Sequence, residues 1–395
     1  MARKRHARVP SRQLMKMLLM SVRRLVRFGV VGCGDVANAS YLPTLREKAE
    51  LIATCDVMEE RARRSKENWG AREYYTNYDE MLEKADIEAV VITTPHATHA
   101  NLVIKAARAG KHVLVQKPLA TTMEDADAAV NEVRKAKVKT LVEPAMQLFP
   151  ANQKAKELIE EEAIGKLFCA QGRLGQLGPT HSKWFFSKEH GGPLFDLGVY
   201  PIATLTYLLG PVKKVTCMAT ISMPKRLLQP PEATTEAIAE GKYIPFWQRN
   251  VAQTEEVTVE TEDNVFAILD FGNGLLGCII ANWLTVESPP KVPGVEIYGT
   301  EGSIFLGGES PLALYTRKKN FWGREIQGWF MFDEESLQTS PDSRREASLE
   351  HLINCILNDK EPLPSVEWGR HVAEIMVKSM ESARSGLAAK LSTTF

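Results

Sequence analysis

Six residues near the N-terminus, Gly32-Cys33-Gly34-Asp35-Val36-Ala37, restrict the fold of this chain more than any other stretch. They lie between a short apolar run, Phe28 to Val31, and a stretch from Val36 to Leu45 that reads as a helix. A G-x-G-x-x-A turn joining strand to helix sets a phosphate on the helix N-terminus, where free N–H groups and the helix dipole hold it. Gly32 allows the tight turn, Gly34 lets the backbone approach a pyrophosphate, and Ala37 permits close helix–strand packing. The hexapeptide gains weight from an acid at the matching distance. Asp56 closes a second apolar run, Leu51 to Cys55, where a carboxylate accepts hydrogen bonds from an adenosine ribose. Its charge repels a 2′-phosphate, so NAD is expected ahead of NADP. Arg61 is the one nearby base that offers NADP a partner.

The alternation continues beyond the fingerprint. A helical stretch from Glu59 to Trp69 leads to a short strand at Tyr75 and a helix from Tyr78 to Lys84. Ala89 to Thr93 is the β-branched run a strand needs when both its faces are covered. A helix over Asn101–Ala109, a strand over Val113–Gln116, a helix over Met123–Ala136 and a strand over Thr140–Glu143 complete the pattern. Strands alternating with helices predict a doubly wound parallel sheet over residues 28–150, of the Rossmann kind. After a helix from Asn152 to Glu162 the texture changes to alternating segments at 167–174, 212–221, 256–271, 274–284, 295–298, 303–306 and 312–316. Phe271-Gly-Asn-Gly-Leu275 reads as a hairpin turn. Residues 151–395 are therefore expected to form an α+β domain with an open, mostly antiparallel sheet, closed by helices over Arg345–Asn358 and Trp368–Ser385. The Pro-rich segment from Met223 to Gln253 is too long for a hairpin, and is either a functional loop or a mobile insertion.

Charge narrows the partners. The chain has 49 Lys and Arg and 49 Asp and Glu. Nine of the bases fall in residues 1–27, leaving 40 against 49 in the remainder. An acidic body argues against nucleic acid. In the basic extension, Lys16 breaks the apolar stretch from Leu14 to Met20 and no cleavage site follows, so a dispensable N-terminus is expected, with Met20 an alternative start. No apolar run approaches the roughly 20 residues that span a bilayer. Six scattered cysteines without a C-x-x-C pair predict neither a metal site nor disulfides, and fit a reducing, cytoplasmic setting.

Two further motifs fall where ligands collect, beyond the carboxyl ends of the strands. Thr93-Thr94-Pro95-His96-Ala97-Thr98-His99 follows the fourth strand, and Ala109-Gly-Lys-His-Val-Leu-Val-Gln116-Lys117-Pro118 carries Lys117 past the end of the fifth. Together with the glycine fingerprint, these resemble the Gfo/Idh/MocA family of NAD(P)-dependent oxidoreductases, from residue 28 to about 390. The resemblance implies a Rossmann domain, a C-terminal sheet that forms a homodimer or homotetramer, and hydride transfer at a hydroxyl carbon of a sugar or polyol. It assigns cofactor contacts to Gly32, Cys33, Gly34, Asp35, Val36, Asp56, Arg61, Thr94, Pro95, His99, Gln116 and Lys117. Where the family usually reads E-K-P, this chain has Gln116-Lys117-Pro118.

The segment from Gly191 to Tyr200 is similar to the family's substrate helix, with Asp196 and Tyr200 four apart on one face. Tyr200 replaces the commoner histidine, as in the glucose–fructose oxidoreductase and dihydrodiol dehydrogenase branches, and Ala203 replaces a second acid. Taking hydride from a carbinol requires a base for the hydroxyl proton, which assigns Lys117 and Tyr200 to that proton. Asp196 is left to hold a sugar hydroxyl or orient the lysine. His96, His181 and His190 read as loop residues near the cleft. Trp184, Phe185 and Phe186 read either as a stacking platform or as core. Two other functions stay open: glycoside cleavage through transient oxidation by bound NAD, and a regulator that binds dinucleotide without catalysis.

Overall fold

The computed structural model describes residues 24–230, 232–239, 250–286, 294–307, 310–318, 320–321, 324–325, 328–337 and 344–395. Most of the basic extension lies outside them. Six strands, β1 (Arg27–Val31), β2 (Glu50–Cys55), β3 (Glu73–Tyr75), β4 (Ala89–Ile92), β5 (His112–Val115) and β6 (Thr140–Val142), form a parallel sheet in the order β3-β2-β1-β4-β5-β6. Chain direction across the sheet reverses between β1 and β4, which opens a crevice at their carboxyl ends.

The helices between these strands are α1 (Leu42–Lys48), α2 (Glu59–Trp69), α3 (Tyr78–Lys84), α4 (His99–Arg108) and α5 (Met123–Ala136). Strand alternation divides the core into two layers. Val90 and Ile92 face α4 and α5 through Val103, Ala106, Ala129 and Val133. Phe28, Val30 and Val91 face Tyr41, Leu42 and Leu45 on the other side. The helix expected from Val36 begins instead with a π turn, Ala37–Tyr41, before α1. That turn buries Tyr41 completely.

Past α6 (Pro150–Glu160) comes a nine-stranded sheet in the order β18-β15-β14-β13-β7-β12-β11-β8-β19. Its strands are β7 (Leu167–Gly175), β8 (Lys214–Thr220), β11 (Asn264–Gly272), β12 (Leu275–Asn282), β13 (Val295–Gly299), β14 (Gly302–Leu306), β15 (Leu312–Thr316), β18 (Gly328–Phe332) and β19 (Ala389–Lys390). Only β7 and β12 pair in parallel; the other neighbours are antiparallel. Helices α7 (Val199–Leu209) and α10 (Val366–Ser385) cover one face, packing Ile202, Leu205, Ile375 and Met376 on Leu269, Ile279 and Ile297. Helix α9 (Arg344–Leu357) crosses back to the parallel sheet through Leu349 and Leu352.

The expected hairpin at Phe271–Leu275 joins β11 to β12, with Asn273 at φ 55°. The segment expected to run unbroken over 256–271 does not. It divides into β10 (Glu255–Thr258), paired with β9 (Lys225–Leu228) in a separate ribbon, and β11. The break is made by Asp263, which is fully buried and accepts the N–H groups of Ser222 and Met223. The polar run from Glu260 to Asn264 interrupts the apolar alternation here, and was the available signal for the break. The Pro-rich segment carries β9 and a helix, α8 (Glu232–Ala239); its residues 231 and 240–249 lie outside the described ones. Strand β18 had no counterpart in the sequence reading, nor did the two-residue ribbon of β16 (Asn320–Phe321) and β17 (Arg324–Glu325).

Candidate active site

The glycine turn is shaped by two different constraints. Gly32 has φ +89°, and a Cβ there would lie 2.8 Å from the carbonyl carbon and oxygen of Thr93. Its N–H donates to Cys55 O at 2.8 Å, and its own carbonyl accepts from Thr93 Oγ1 at 2.6 Å. Gly34 differs: no protein atom lies within 4 Å of its would-be Cβ, which faces a cleft. The cleft, of about 720 Å³, runs from Asp56 and Arg61 past Gly34, Asp35 and Val36 to Thr94, Pro95, Gln116, Lys117, Asp196 and Tyr200.

Asp56 accepts the Cys33 N–H on Oδ2 at 2.7 Å and the Met58 N–H on Oδ1 at 2.9 Å. Each carboxylate oxygen keeps a lone pair for a ribose hydroxyl. Cys33 contributes only backbone here, because its side chain is fully buried; burial first, then Asp56, raises the thiol well above its usual range. A glycine turn open toward the cleft, a helix start behind it and a carboxylate at the end of β2 together fit a dinucleotide.

At the other end of the cleft, Lys117 Nζ lies 2.7 Å from Asp196 Oδ1 and 2.7 Å from the Asp196 carbonyl oxygen. It also sits over the Tyr200 ring, 5.2 Å from its centroid. The other carboxylate oxygen of Asp196 accepts from Trp283 Nε1 at 3.3 Å. Asp196 belongs to a second π turn, Leu194–Gly198, that runs straight into α7. The lysine side chain is 10% exposed and the aspartate 16%, so this pair is nearly dry and only weakly screened. The three residues assigned to catalysis therefore meet at one point. Asp196 orients the lysine, and the ammonium lies against the ring face of the tyrosine.

The histidines around the cleft are held in different ways. His99 is fully buried, and its ring nitrogens lie 2.7 Å from Pro118 O and 2.7 Å from Thr94 O. It clasps the two motif turns together, and burial pulls its pKa down to about 4. His96 Nδ1 lies 3.1 Å from His190 O, and burial, then the charge of Lys117, lowers its pKa well below the usual value. Trp184 and Phe185 stack at 3.6 Å and border the cleft, whereas Phe186 packs on Trp283 in a separate core. His181 Nε2 reaches to 3.7 Å from Asp35 Oδ2, so the loop that carries it spans the cleft.

Residues 26–143 match the family described as an oxidoreductase family with an NAD-binding Rossmann fold, and residues 152–305 match the Gfo/Idh/MocA C-terminal domain. The chain belongs to the Gfo/Idh/MocA oxidoreductase family. It is 26% identical to scyllo-inositol 2-dehydrogenase (NAD(+)) of Bacillus subtilis (strain 168), over 93% of this chain and 96% of that one. It is 30% identical to levoglucosan dehydrogenase of Pseudarthrobacter phenanthrenivorans, over 69% and 67% respectively. The solved structure of a levoglucosan dehydrogenase with NADH and L-sorbose shares the fold, with a TM-score of 0.78 at 23% identity over 93% of this chain and 99% of that one.

Within the Gfo/Idh/MocA site, the departure at Gln116 has a structural counterpart that sequence reasoning missed. Gln116 Nε2 donates to Tyr41 Oη at 2.5 Å, and Tyr41 Oη donates to Glu143 Oε1 at 3.0 Å. Glu143 Oε2 accepts the Ala145 N–H at 2.8 Å. The carboxylate absent from position 116 is thus present two hydrogen bonds away, at the end of β6. Glu143 ends a strand of the parallel sheet, which was the available signal; Tyr41 and Trp283 carried none.

Proposed function

We propose that this family member transfers hydride between a nicotinamide and a carbinol carbon of a sugar or polyol. The observation that carries the reading is the Lys117–Asp196–Tyr200 cluster at the far end of a cleft that fits NAD. Bound nicotinamide supplies or accepts the hydride. Asp196 fixes Lys117, whose ammonium polarises the substrate oxygen, and Tyr200 holds or passes the hydroxyl proton while the ammonium offsets negative charge beside its ring. Thr94, Pro95, Gln116 and His99 also line the cleft and would hold the nicotinamide when it is bound. We divide the labour between residues 28–150 for the dinucleotide and 151–395 for the sugar, in a cytoplasmic enzyme. The relatives named for inositol and levoglucosan support this substrate class. A panel of aldoses, inositols, uronates and aryl glycosides with NAD and NADP, read by NADH absorbance, tests it. Reducing sugar released without net NADH would instead mark glycoside cleavage, and inertness of the whole panel would refute both.

Cofactor choice follows from Asp56. NAD is expected to exceed NADP in kcat/KM, and Asp56→Ser to weaken NAD about tenfold or more while narrowing that gap, as befits a charged hydrogen-bonding group. Equal kcat/KM for the two cofactors in the unaltered enzyme would defeat the assignment.

Assembly follows from the uncovered face of the large sheet. Met218, Phe266, Ile268 and Leu276 project there, each half exposed or more, and Phe266 lies opposite both Met218 and Ile280. A contiguous apolar face of this kind requires a partner, and a second copy of the chain offers the same face. Light scattering is expected to give a multiple of 44.0 kDa. Phe266→Glu with Ile268→Lys is expected to dissociate the assembly; a monomer at micromolar concentration before mutation would refute it.

A further inference from the structure

The hydrogen-bond relay behind Gln116 has a direction, and its inner end settles it. Glu143 is buried just past β6, where Oε2 accepts the Ala145 N–H at 2.8 Å and Oε1 accepts from Tyr41 Oη at 3.0 Å. A carboxylate only accepts hydrogen bonds, and a phenol has a single proton to donate. Tyr41, fully buried, gives that proton to Glu143 and therefore accepts from Gln116 Nε2, at 2.5 Å. The Gln116 amide is thus turned one way, with its nitrogen inward and its carbonyl oxygen Oε1 left for the cleft that Gln116 borders. A glutamine without such a partner presents either edge, because the two ends of its amide have nearly the same shape.

We propose that Glu143 and Tyr41 are positioning residues that hold Gln116 Oε1 toward the cleft as an acceptor for a hydrogen-bond donor on the nicotinamide half of the dinucleotide. Gln116 lies beside Lys117, at the end of the cleft away from Asp56, and so faces the half that carries the ring. That half offers ribose hydroxyls and carboxamide N–H groups, and either donor suits an oxygen. The role rests on dinucleotide binding by this chain and is independent of which sugar reacts. The relay can be reversed without being broken. In Glu143→Gln the new amide keeps its oxygen on the Ala145 N–H and donates its nitrogen to Tyr41, whose proton then goes to Gln116 Oε1. Each bond has a counterpart, but Gln116 now turns N–H groups to the cleft. Gln116→Glu has the opposite fault: the cleft keeps an acceptor, while two carboxylates compete for one phenol proton and repel each other. With both changes the relay is satisfied again and an acceptor faces outward.

The test is a double-mutant cycle on the full chain, read by melting without ligand and by calorimetric titration with NADH, ADP-ribose and ADP. Glu143→Gln is expected to keep Tm within about 1 °C and to weaken NADH about three- to tenfold, the range of one neutral hydrogen bond, with ADP unaffected. The same loss for ADP-ribose identifies a ribose hydroxyl as the partner; loss for NADH alone identifies the carboxamide. Gln116→Glu is expected to lower Tm by about 3 °C or more. The double variant should melt above Gln116→Glu and bind NADH more tightly than Glu143→Gln, a coupling that independent structural roles do not produce. Unchanged NADH affinity in Glu143→Gln, an equal loss for ADP, or additive effects in the double variant would overturn the proposal. Absence of NADH binding by the unaltered chain would defeat the dinucleotide reading and the proposal with it, whereas the ligand-free melting cycle would still report the direction of the relay.

Discussion

Lys117→Ala is expected to lower kcat by about 10²–10⁴-fold, the usual worth of a positioned proton-transfer group, with NADH affinity little changed. The lysine touches Asp196 and the Tyr200 ring, not the adenosine end of the cleft. Its removal leaves Asp196 nearly buried without its cation, so the variant should be read at saturating substrate and below its Tm. Tyr200→Phe, losing only the hydroxyl, is expected to reduce kcat by a comparable factor. The double variant should fall well short of the product of the two losses, because both groups serve one proton transfer. Asp196→Asn removes the charge that orients Lys117 and is expected to lower kcat as well as raise KM for the sugar. A full-speed Tyr200→Phe enzyme beside an inactive Lys117→Ala would assign the proton to the lysine alone.

The site was legible to different depths at its two ends. Gly32, Gly34, Asp56 and Lys117 were readable because each sits at a fixed offset from a strand end, and a parallel sheet delivers such positions to one crevice. Asp196 and Tyr200 were readable as a pair, although a π turn rather than plain helix brings Asp196 to the lysine. What stayed hidden depends on long-range contact. Tyr41 is one of several apolar-looking residues after the fingerprint, and nothing local says that its hydroxyl joins Gln116 to Glu143 across the sheet. Trp283 likewise ends an ordinary alternating strand. The break at Asp263 was marked by the polar run from Glu260 to Asn264, but the alternation on either side of it read as one strand; the packing of α8 had no local signal. Local spacing reveals motif residues, whereas a packed core decides which distant side chains support them.

Gly32 and Gly34 are expected to fail in opposite ways when each is changed to Ala, and the contrast tests the cofactor site without any substrate. At Gly32 a Cβ would meet the Thr93 carbonyl at 2.8 Å and Thr94 Cγ2 at 2.9 Å, in a backbone conformation that favours glycine. Relief requires β1 and the turn after β4 to separate, which costs about 2–4 kcal/mol and should lower Tm by roughly 5 °C or more. NADH binding should fall with it, because the N–H groups of the turn lose their aim. At Gly34 a Cβ meets no protein atom within 4 Å. Gly34→Ala should therefore keep its Tm, or gain slightly from lower chain entropy in the unfolded state. Its methyl group would stand where the pyrophosphate must approach the helix start, and NADH affinity should drop about tenfold or more. Fluorescence titration of NADH beside a melting curve separates the two. Normal NADH affinity in Gly34→Ala would remove the pyrophosphate from that turn, and with it the orientation that places nicotinamide beside Lys117.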